Sequence, residues 1–169
     1  MHRLLIPCLC VLVLTVTGCG GSTTPAHWSE ERVGQLLVQR PESWQPGPEV
    51  EDPWDASWTG DGMTMQVSGA FSEDVGAYAG LARLDLPATM GLADYEPEST
   101  DEITVAGAYD AVVRRYSFTD GGEPRQGAWI VASQWPDPLI VVVALSGETL
   151  DDEVLQRVQE SLHLMPGPS

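Results

Sequence analysis

Few side chains in this sequence have the chemistry of a nucleophile or a general base. The chain contains three cysteines and three histidines. Nucleophilic hydrolysis needs a serine or cysteine beside a base, and beyond the first apolar segment only His27 and His163 offer an imidazole. The sequence has no Gly-x-Ser-x-Gly turn, which exposes the nucleophile of many hydrolases. The residues predict no catalytic site, and a hydrolase that uses His163 or a pair of carboxylates is the least favoured alternative.

The amino terminus has the layout of an export signal. Arg3 supplies a positive flank, residues 4–16 form an apolar segment, and small polar residues follow. The segment is too short to cross a bilayer, because a membrane-spanning helix needs about 20 apolar residues. Pro7 also interrupts the segment near its start. We therefore expect residues 1–18 to be removed from the mature protein.

The last residues of this segment suggest how the protein is anchored. Val16, Thr17, Gly18 and Cys19 follow one another, and this tetrapeptide resembles the lipobox of bacterial lipoproteins. The resemblance implies cleavage before Cys19, attachment of diacylglycerol to its sulfur through a thioether, and acylation of the new amino group. Two or more acyl chains anchor a protein stably, because each buried methylene contributes about 0.8 kcal/mol. The alternative is an ordinary secretory signal with a cysteine near its end by chance.

Cysteine content and charge exclude several classes of site. Cys8 and Cys10 lie in the predicted leader and leave Cys19 alone, so the sequence excludes a disulfide framework, a cysteine nucleophile and a zinc cluster of cysteines. The chain has 25 acidic and 8 basic residues and a net charge of −17. Binding to nucleic acid requires a basic surface that displaces phosphate counterions. We therefore expect no nucleic acid partner.

Acidic residues are concentrated in residues 46–61, where proline and glycine predict a long loop. The spacing from Asp55 to Gly60 is similar to the start of a calcium-binding loop. Gln66 replaces the glutamate that would complete such a loop, and a predicted strand follows where a helix is needed. We therefore predict no metal site and no cofactor, and we leave open that this loop binds a divalent cation at its surface.

The same loop carries Trp54 and Trp58, two of the six tryptophans in the chain. Large aromatic side chains bury their surface wherever they can, so both would cap the edge of the core. Alternatively, both would present an aromatic surface to a glycan, a lipid or a protein partner. Trp54 and Trp58 are therefore the candidate binding residues, whereas Trp44 and Trp129 are expected in the core.

Alternation of apolar and polar residues predicts several strands separated by turns rich in glycine or proline. Residues 139–145 are apolar at every position, which is typical of a strand covered on both faces. Residues 28–34 are expected to form a short helical or irregular entry, and residues 94–101 an acidic loop. The other expected strands are 35–39, 63–71, 102–105, 109–119 and 127–134.

Two segments have the periodicity of an amphipathic helix. In the first, Ser72 is the expected N-cap, and Val75, Tyr78 and Leu86 are among the residues expected to face the sheet. The second has acidic residues in its first turn, where the helix dipole favours them. Its expected inner face consists of Leu150, Val154, Leu155, Val158 and Leu162.

The order of these elements resembles that of the PsbP-like superfamily, which includes DcrB-like proteins and LpqN-type lipoproteins. The likeness rests on residues 36–44, in which Pro41-x-x-Trp44 follows the first strand, and on residues 103–164, with a turn at 105–109 before a long hairpin. It implies an α/β (α+β) fold in which a mainly antiparallel sheet lies between helices as an αβα sandwich. It also implies a non-enzymatic binding or assembly role.

We predict a bacterial lipoprotein held on the extracytoplasmic face of the cell membrane, where it acts as a binding or accessory module for an envelope protein, lipid or glycan. The first alternative is a carrier or chaperone for lipid or glycan, which requires an apolar cleft lined by Trp54 and Trp58. The expected organisation is a leader over 1–18, lipidated Cys19 and a flexible tether over 19–27, one PsbP-like domain over 28–165 and a disordered tail over 166–169.

Overall fold

A computed structural model describes residues 27–167 of the chain. The predicted leader, Cys19, most of the tether and positions 168–169 of the tail lie outside these residues. Among residues 27–167, no helix is long and apolar enough to cross a membrane. In chain order, the elements are β1 (Trp28–Val33), β2 (Leu36–Pro41), β3 (Gln45–Pro46), β4 (Ala56–Gly60), β5 (Met63–Ser72), α1 (Ala77–Gly91), β6 (Ala93–Glu102), β7 (Asp110–Asp120), β8 (Glu123–Gln134), β9 (Leu139–Gly147), α2 (Asp152–Ser161) and β10 (His163–Leu164).

The strands of this region form two sheets. The larger has seven strands in the order β3-β4-β5-β9-β8-β7-β6, and the smaller has the order β1-β2-β10. Neighbouring strands in both sheets are antiparallel. Together with the two helices they form an α+β sandwich, which confirms the expected fold class.

Each face of the seven-stranded sheet contributes to a core, and on one face helix α1 leaves part of the sheet open. Helix α1 packs on β6, β7 and β8, and its Leu81 and Leu84 share a core with Val112, Val131 and Ile140 of the sheet. Helix α2 packs on β2, and it shares a larger core with the small sheet and the opposite face of the large one. This second core includes Leu36, Val38, Met65, Val113, Ile130, Val143, Leu155 and Val158.

Strand β9 and helix α2 agree with their sequence patterns. Residues 140–145 of β9 are all buried, and they alternate between the two cores, as the uninterrupted apolar run predicted. Helix α2 begins after Asp151, whose carboxylate accepts hydrogen bonds from the N–H groups of Glu153 and Val154. The five apolar residues expected on its inner face are all buried.

Three segments predicted as irregular are strands. The entry forms β1, which pairs with β2 across a turn at Gly34, where φ is +57°. Strand β4 lies inside the predicted loop at 46–61, and β6 occupies the predicted acidic loop at 94–101. Most residues of β6 are exposed, because it is an edge strand whose carboxylates and Pro97 suit an edge that pairs on one side only. This strand was not predicted from the sequence, because it has no apolar face.

Helix α1 buries a different face from the one predicted. It begins after Gly76, not after Ser72, and Val75, Tyr78 and Leu86 are each more than half exposed. A Cβ at Gly80 would lie 2.6 Å from Ile140 Cγ2, so the glycine permits a close approach of the helix to the sheet. Small residues therefore mark the inner face, which consists of Ala77, Gly80, Leu81, Leu84 and Ala88.

Candidate binding site

A cleft of about 460 Å³ opens between helix α1 and the part of the large sheet that this helix leaves uncovered. The second half of α1 forms one wall, and the loop before β4 together with the end of β5 forms the other. We call this space the α1 cleft. Its main lining residues are Leu84, Pro87, Ala88 and Leu92 on the helix side, Pro53, Trp54 and Phe71 on the loop side, and Gln66, Trp129, Ala144 and Ser146 on the floor.

The α1 cleft exists because the helix lies over one half of the sheet. Helix α1 contacts β6, β7 and β8 and approaches Ile140 at the start of β9 through Gly80, whereas Gln66 of β5 and the later β9 residues Ala144 and Ser146 line the cleft. On that uncovered part, Gln66 of β5 is paired with Ala144 of β9, and Ser146 follows on the same face. Because the side chains of Ala144 and Ser146 are short, they leave space above the sheet between the two walls. The result is an open cleft rather than a filled core.

Trp54 stands opposite the helix. Its ring packs on Phe71, with the ring centroids 6.5 Å apart. The next residue, Asp55, fastens the loop to β5, because its N–H donates to the Val67 carbonyl over 2.9 Å and its carboxylate accepts from the Gly69 N–H over 2.8 Å. The half-buried indole is therefore held in place by the backbone beneath it.

A polar network fixes the helical wall to the sheet. Asp85 Oδ1 accepts hydrogen bonds from the Tyr95 hydroxyl at 2.5 Å and from Arg114 Nη1 at 2.7 Å. Burial opposes the charged form of Asp85, but these two donors together outweigh it and hold the pKa of Asp85 below its ordinary value. Burial, followed by the bond to Asp85, raises the pKa of Tyr95 to about 12. The network is therefore a carboxylate, a neutral phenol and a guanidinium at neutral pH.

Aromatic rings extend from this network into the α1 cleft. The Tyr95 and Trp129 rings stack with their centroids 5.9 Å apart, and Trp129 lies 4.3 Å from Tyr116. Trp129 and Tyr116 both line the cleft. Burial raises the pKa of Tyr116, so its hydroxyl is neutral. This end of the cleft is therefore aromatic and uncharged.

Polar groups are few along the α1 cleft. Pro87 has no N–H, so the carbonyl of Arg83 lacks its usual helical partner. The guanidinium of Arg83 is engaged by Asp74, a pairing that lowers the pKa of that carboxyl. Besides Arg83, the lining residues that carry a polar side-chain group are Gln66, Ser146, Tyr116 and the tryptophans Trp54 and Trp129.

Trp58 lies elsewhere. It is on β4, is only 8% exposed, and belongs to the larger core on the opposite face of the sheet. The Arg40 guanidinium covers its ring at 5.5 Å from the centroid. The expectation that Trp54 and Trp58 line one cleft is therefore wrong, because the sheet separates them. The position of Trp58 is that of a residue that caps the edge of the core.

The remaining candidate groups do not converge on the α1 cleft. His27 and His163 are both exposed, and neither lines the cleft. Within residues 27–167, no group of three or more histidine, cysteine or acidic residues is placed to hold a metal ion. Most of the lining is apolar, so the arrangement suits binding of an apolar ligand better than acid–base or metal chemistry.

Comparison with known proteins finds similarity of fold. No protein-family model matches the chain, and no curated protein matches its sequence. The crystal structure of LpqN, a Mycobacterium tuberculosis protein involved in cell envelope biogenesis, matches with a TM-score of 0.50 and 17% identity, over 83% of this chain and 92% of that one. This chain shares the fold of LpqN. PA94, a Pseudomonas aeruginosa protein of unknown function, has a TM-score of 0.49 and 16% identity, over 85% of this chain and 99% of its own.

The likeness to LpqN agrees, at the level of fold, with the PsbP-like and LpqN-type resemblance of the sequence. From the residues, Trp54 was identified as a candidate, but the helical wall of the α1 cleft was missed. The wall was missed because the large apolar residues of α1 were assigned to its inner face. The signal that would have found it is the helical spacing of the small residues Ala77, Gly80 and Ala88, which marks a face in close contact with a sheet.

Proposed function

We propose that this protein is a membrane-anchored, non-enzymatic lipoprotein of the cell envelope that binds the apolar chain of a lipid in the α1 cleft. It is tethered through Cys19 on the extracytoplasmic side and acts as a lipid carrier or accessory module. The single observation that carries the proposal is the mainly apolar cleft of about 460 Å³, with the half-buried Trp54 as one of its walls.

The size and lining of the α1 cleft support a lipid ligand. Small-molecule sites usually enclose about 300–1,000 Å³, and they combine apolar walls with a few polar groups. Leu84, Pro87 and Leu92 on one side face Trp54 and Phe71 on the other, and these side chains can lie along an acyl chain. Each methylene that leaves water contributes about 0.8 kcal/mol. A chain of ordinary length would therefore gain enough free energy to be held reversibly.

The polar groups of the α1 cleft support an amphiphilic ligand. The side chains of Gln66 and Ser146 offer donors and acceptors for hydroxyl or amide groups, while the Arg83 charge is already balanced by Asp74. No unpaired cation lies among the lining residues, so an anionic headgroup has no specific partner there. A neutral headgroup with hydroxyls fits this surface better.

Two features support an envelope location. The leader and the lipobox-like tetrapeptide would export and anchor the chain, and the shared fold is that of a protein involved in envelope biogenesis. A domain held by acyl chains and standing beside the bilayer could take a lipid from one membrane site to another.

Photolabelling of the anchored protein in its own membrane tests this function. The probe is a monoacylglycerol, whose headgroup is neutral and carries hydroxyls, with a diazirine in its acyl chain, and the labelled peptides are located by mass spectrometry. We expect labels on the peptides that hold residues 83–92 and 53–71. A Gly91→Trp variant should reduce this labelling at least fivefold, because Gly91 lines the cleft and a Cβ there meets no atom within 4 Å. The new side chain can thus enter the cleft without a clash in the core.

The matched control is Trp135→Ala, which changes an exposed tryptophan outside the cleft. This control should leave labelling of the two cleft peptides unchanged, whereas Trp54→Ala should weaken it severalfold. Labelling that is confined to the tether, or that is equal in wild type and Gly91→Trp, would contradict lipid binding in the α1 cleft.

A further inference from the structure

A second feature of the surface lies outside the α1 cleft and shares none of its residues. Tyr78, Tyr109 and Trp135 are 53%, 67% and 55% exposed. They come from the first turn of α1, the residue before β7 and the residue after β8. We call these three side chains the aromatic patch. Large aromatic side chains normally bury their surface, so an exposed group of them marks an interaction site.

The rings of the aromatic patch are close to one another. The centroids of Tyr109 and Trp135 are 6.5 Å apart, with the ring planes at 47°. Tyr109 and Tyr78 line one depression of about 270 Å³. The backbone holds Tyr109 in position, because its N–H donates to the Ser133 carbonyl over 2.8 Å. The three rings therefore form one surface.

Two carboxylates line the same depression, those of Glu102 and Asp110. Asp110 Oδ1 accepts hydrogen bonds from the Ala77 N–H at 3.0 Å and from the Ser133 hydroxyl, so it ties the start of α1 to β8. In the part of the chain that the structure describes, neither carboxylate forms a salt bridge. No arginine lines the depression either. The aromatic patch thus combines exposed rings with negative charge that the domain itself does not neutralise.

We propose that the aromatic patch is a docking site for a basic, arginine-containing segment of a partner protein. A guanidinium stacks on tyrosine and tryptophan rings through cation–π attraction, and it pairs with carboxylates. Tyrosine and tryptophan are also the residues that contribute most to binding at protein interfaces. The net charge of −17 attracts a basic partner from a distance.

A membrane surface is the less suitable occupant, although aromatic rings often lie at membrane interfaces. Lipid headgroups of the usual anionic membrane repel Glu102, Asp110 and the acidic domain as a whole. A basic peptide can stack on the rings and pair with the carboxylates at the same time. A bilayer can accommodate the rings, but its anionic headgroups repel the carboxylates.

Fluorescence anisotropy with a defined peptide tests the docking site. The full-length protein is placed in phosphatidylcholine nanodiscs, and the probe is a labelled peptide of alternating arginine and alanine. A double variant, Tyr109→Ala with Trp135→Ala, should bind this peptide about tenfold more weakly, since each exposed cation–π contact is worth a few-fold in affinity. The glutamine counterpart of the peptide should not bind.

The matched control is the double variant Leu86→Ala with Met90→Ala, which removes two apolar side chains that are 66% and 82% exposed and leaves the charge unchanged. It should bind the arginine peptide as wild type does, and circular dichroism checks that both variants are folded. Equal binding by the two double variants would mean general attraction to an acidic protein and would overturn the proposal. The proposal would also be overturned if the wild-type protein did not bind the peptide, or if it bound anionic vesicles through Tyr109 and Trp135.

This result is independent of the proposed lipid-binding function. The peptide assay examines residues that are absent from the α1 cleft, and photolabelling by the monoacylglycerol examines residues that are absent from the aromatic patch. Either proposal can therefore be contradicted while the other is supported.

Discussion

Arg114 on strand β7 donates a 2.7 Å hydrogen bond to Asp85 on helix α1, and this ion pair joins the helical wall of the α1 cleft to the sheet. The two side chains are 18% and 36% exposed, so solvent screens the pair only in part. The Tyr95 hydroxyl donates to the same carboxylate oxygen. The carboxylate of Asp85 therefore joins the helical wall of the cleft to two strands of the sheet.

Replacement of that carboxylate should make stability less sensitive to acid. The folded-state pKa of Asp85 is below its ordinary value of 3.8, so its ionised form stabilises the fold above that value, and the contribution is lost as pH falls through the folded-state pKa. Asp85→Asn should lower the free energy of unfolding by roughly 1–2 kcal/mol near neutral pH, a figure discounted for partial exposure. Urea unfolding at neutral and acidic pH measures the difference, which should shrink in acid; a constant difference would contradict this role.

Tyr95 should make the fold sensitive to alkali. Its pKa rises from 10.0 to about 12 in the folded protein, so the neutral phenol stabilises the fold fully below pH 10, and this contribution is lost as pH rises from 10 to about 12. Tyr95→Phe should be less stable by about 1 kcal/mol at neutral pH, since it lacks the bond to Asp85. Thermal unfolding between pH 10 and about 12 should show a smaller loss of stability for Tyr95→Phe than for wild type. An equal loss of stability in both proteins would refute this role of Tyr95.

Gly80 should be the glycine of α1 that tolerates a side chain least. A Cβ there would lie 2.6 Å from Ile140 Cγ2 and 2.9 Å from Val131 Cγ1, so the helix or the sheet must move. Gly80→Ala should destabilise the protein by about 1–3 kcal/mol, partly offset by higher helix propensity. Gly91→Ala is the control, because its Cβ meets nothing within 4 Å. Chemical denaturation should separate the two variants, and equal stabilities would show that close helix packing has little effect.

Cys19 should decide where the protein is found. Cys19→Ser removes the thiol that the lipobox resemblance assigns to the thioether, so the chain should lose its diacylglycerol. Mass spectrometry of the mature amino-terminal peptide should show a lipid-modified Cys19 in wild type, and cell fractionation should place wild type, but not the variant, with membranes through this anchor. An unmodified Cys19, or a mature terminus at another residue, would refute the anchoring prediction.

Local sequence signals were enough for part of this fold. The apolar run at 139–145 specified a strand buried on both faces, because no polar side chain in it could face solvent. The acidic residues in the first turn and the spacing from Leu150 to Leu162 specified helix α2 and its inner face, because the helix dipole and periodicity both act within a few residues. The α+β class followed from the order of such segments.

Other parts of the fold depended on partners that are distant in sequence. Strand β6 is almost entirely polar, and only its pairing with β7 makes it a strand. The inner face of α1 is set by contact of Gly80 with Ile140, 60 positions along the chain. Neither relationship produces a periodic pattern of large apolar residues. Periodicity therefore predicted a loop in place of β6 and the wrong inner face for α1.

The sequence by itself showed the lipobox-like tetrapeptide that ends at Cys19, the acidic charge and the candidate residue Trp54. Only the tertiary structure decided that Trp54 and Trp58 lie on opposite faces of a sheet, that α1 leaves a cleft beside Trp54, and that Tyr78, Tyr109 and Trp135 meet at the surface. The physical reason is that a short motif or a helix cap is a local property of the chain. A cleft, in contrast, is the space left when elements far apart in sequence pack together.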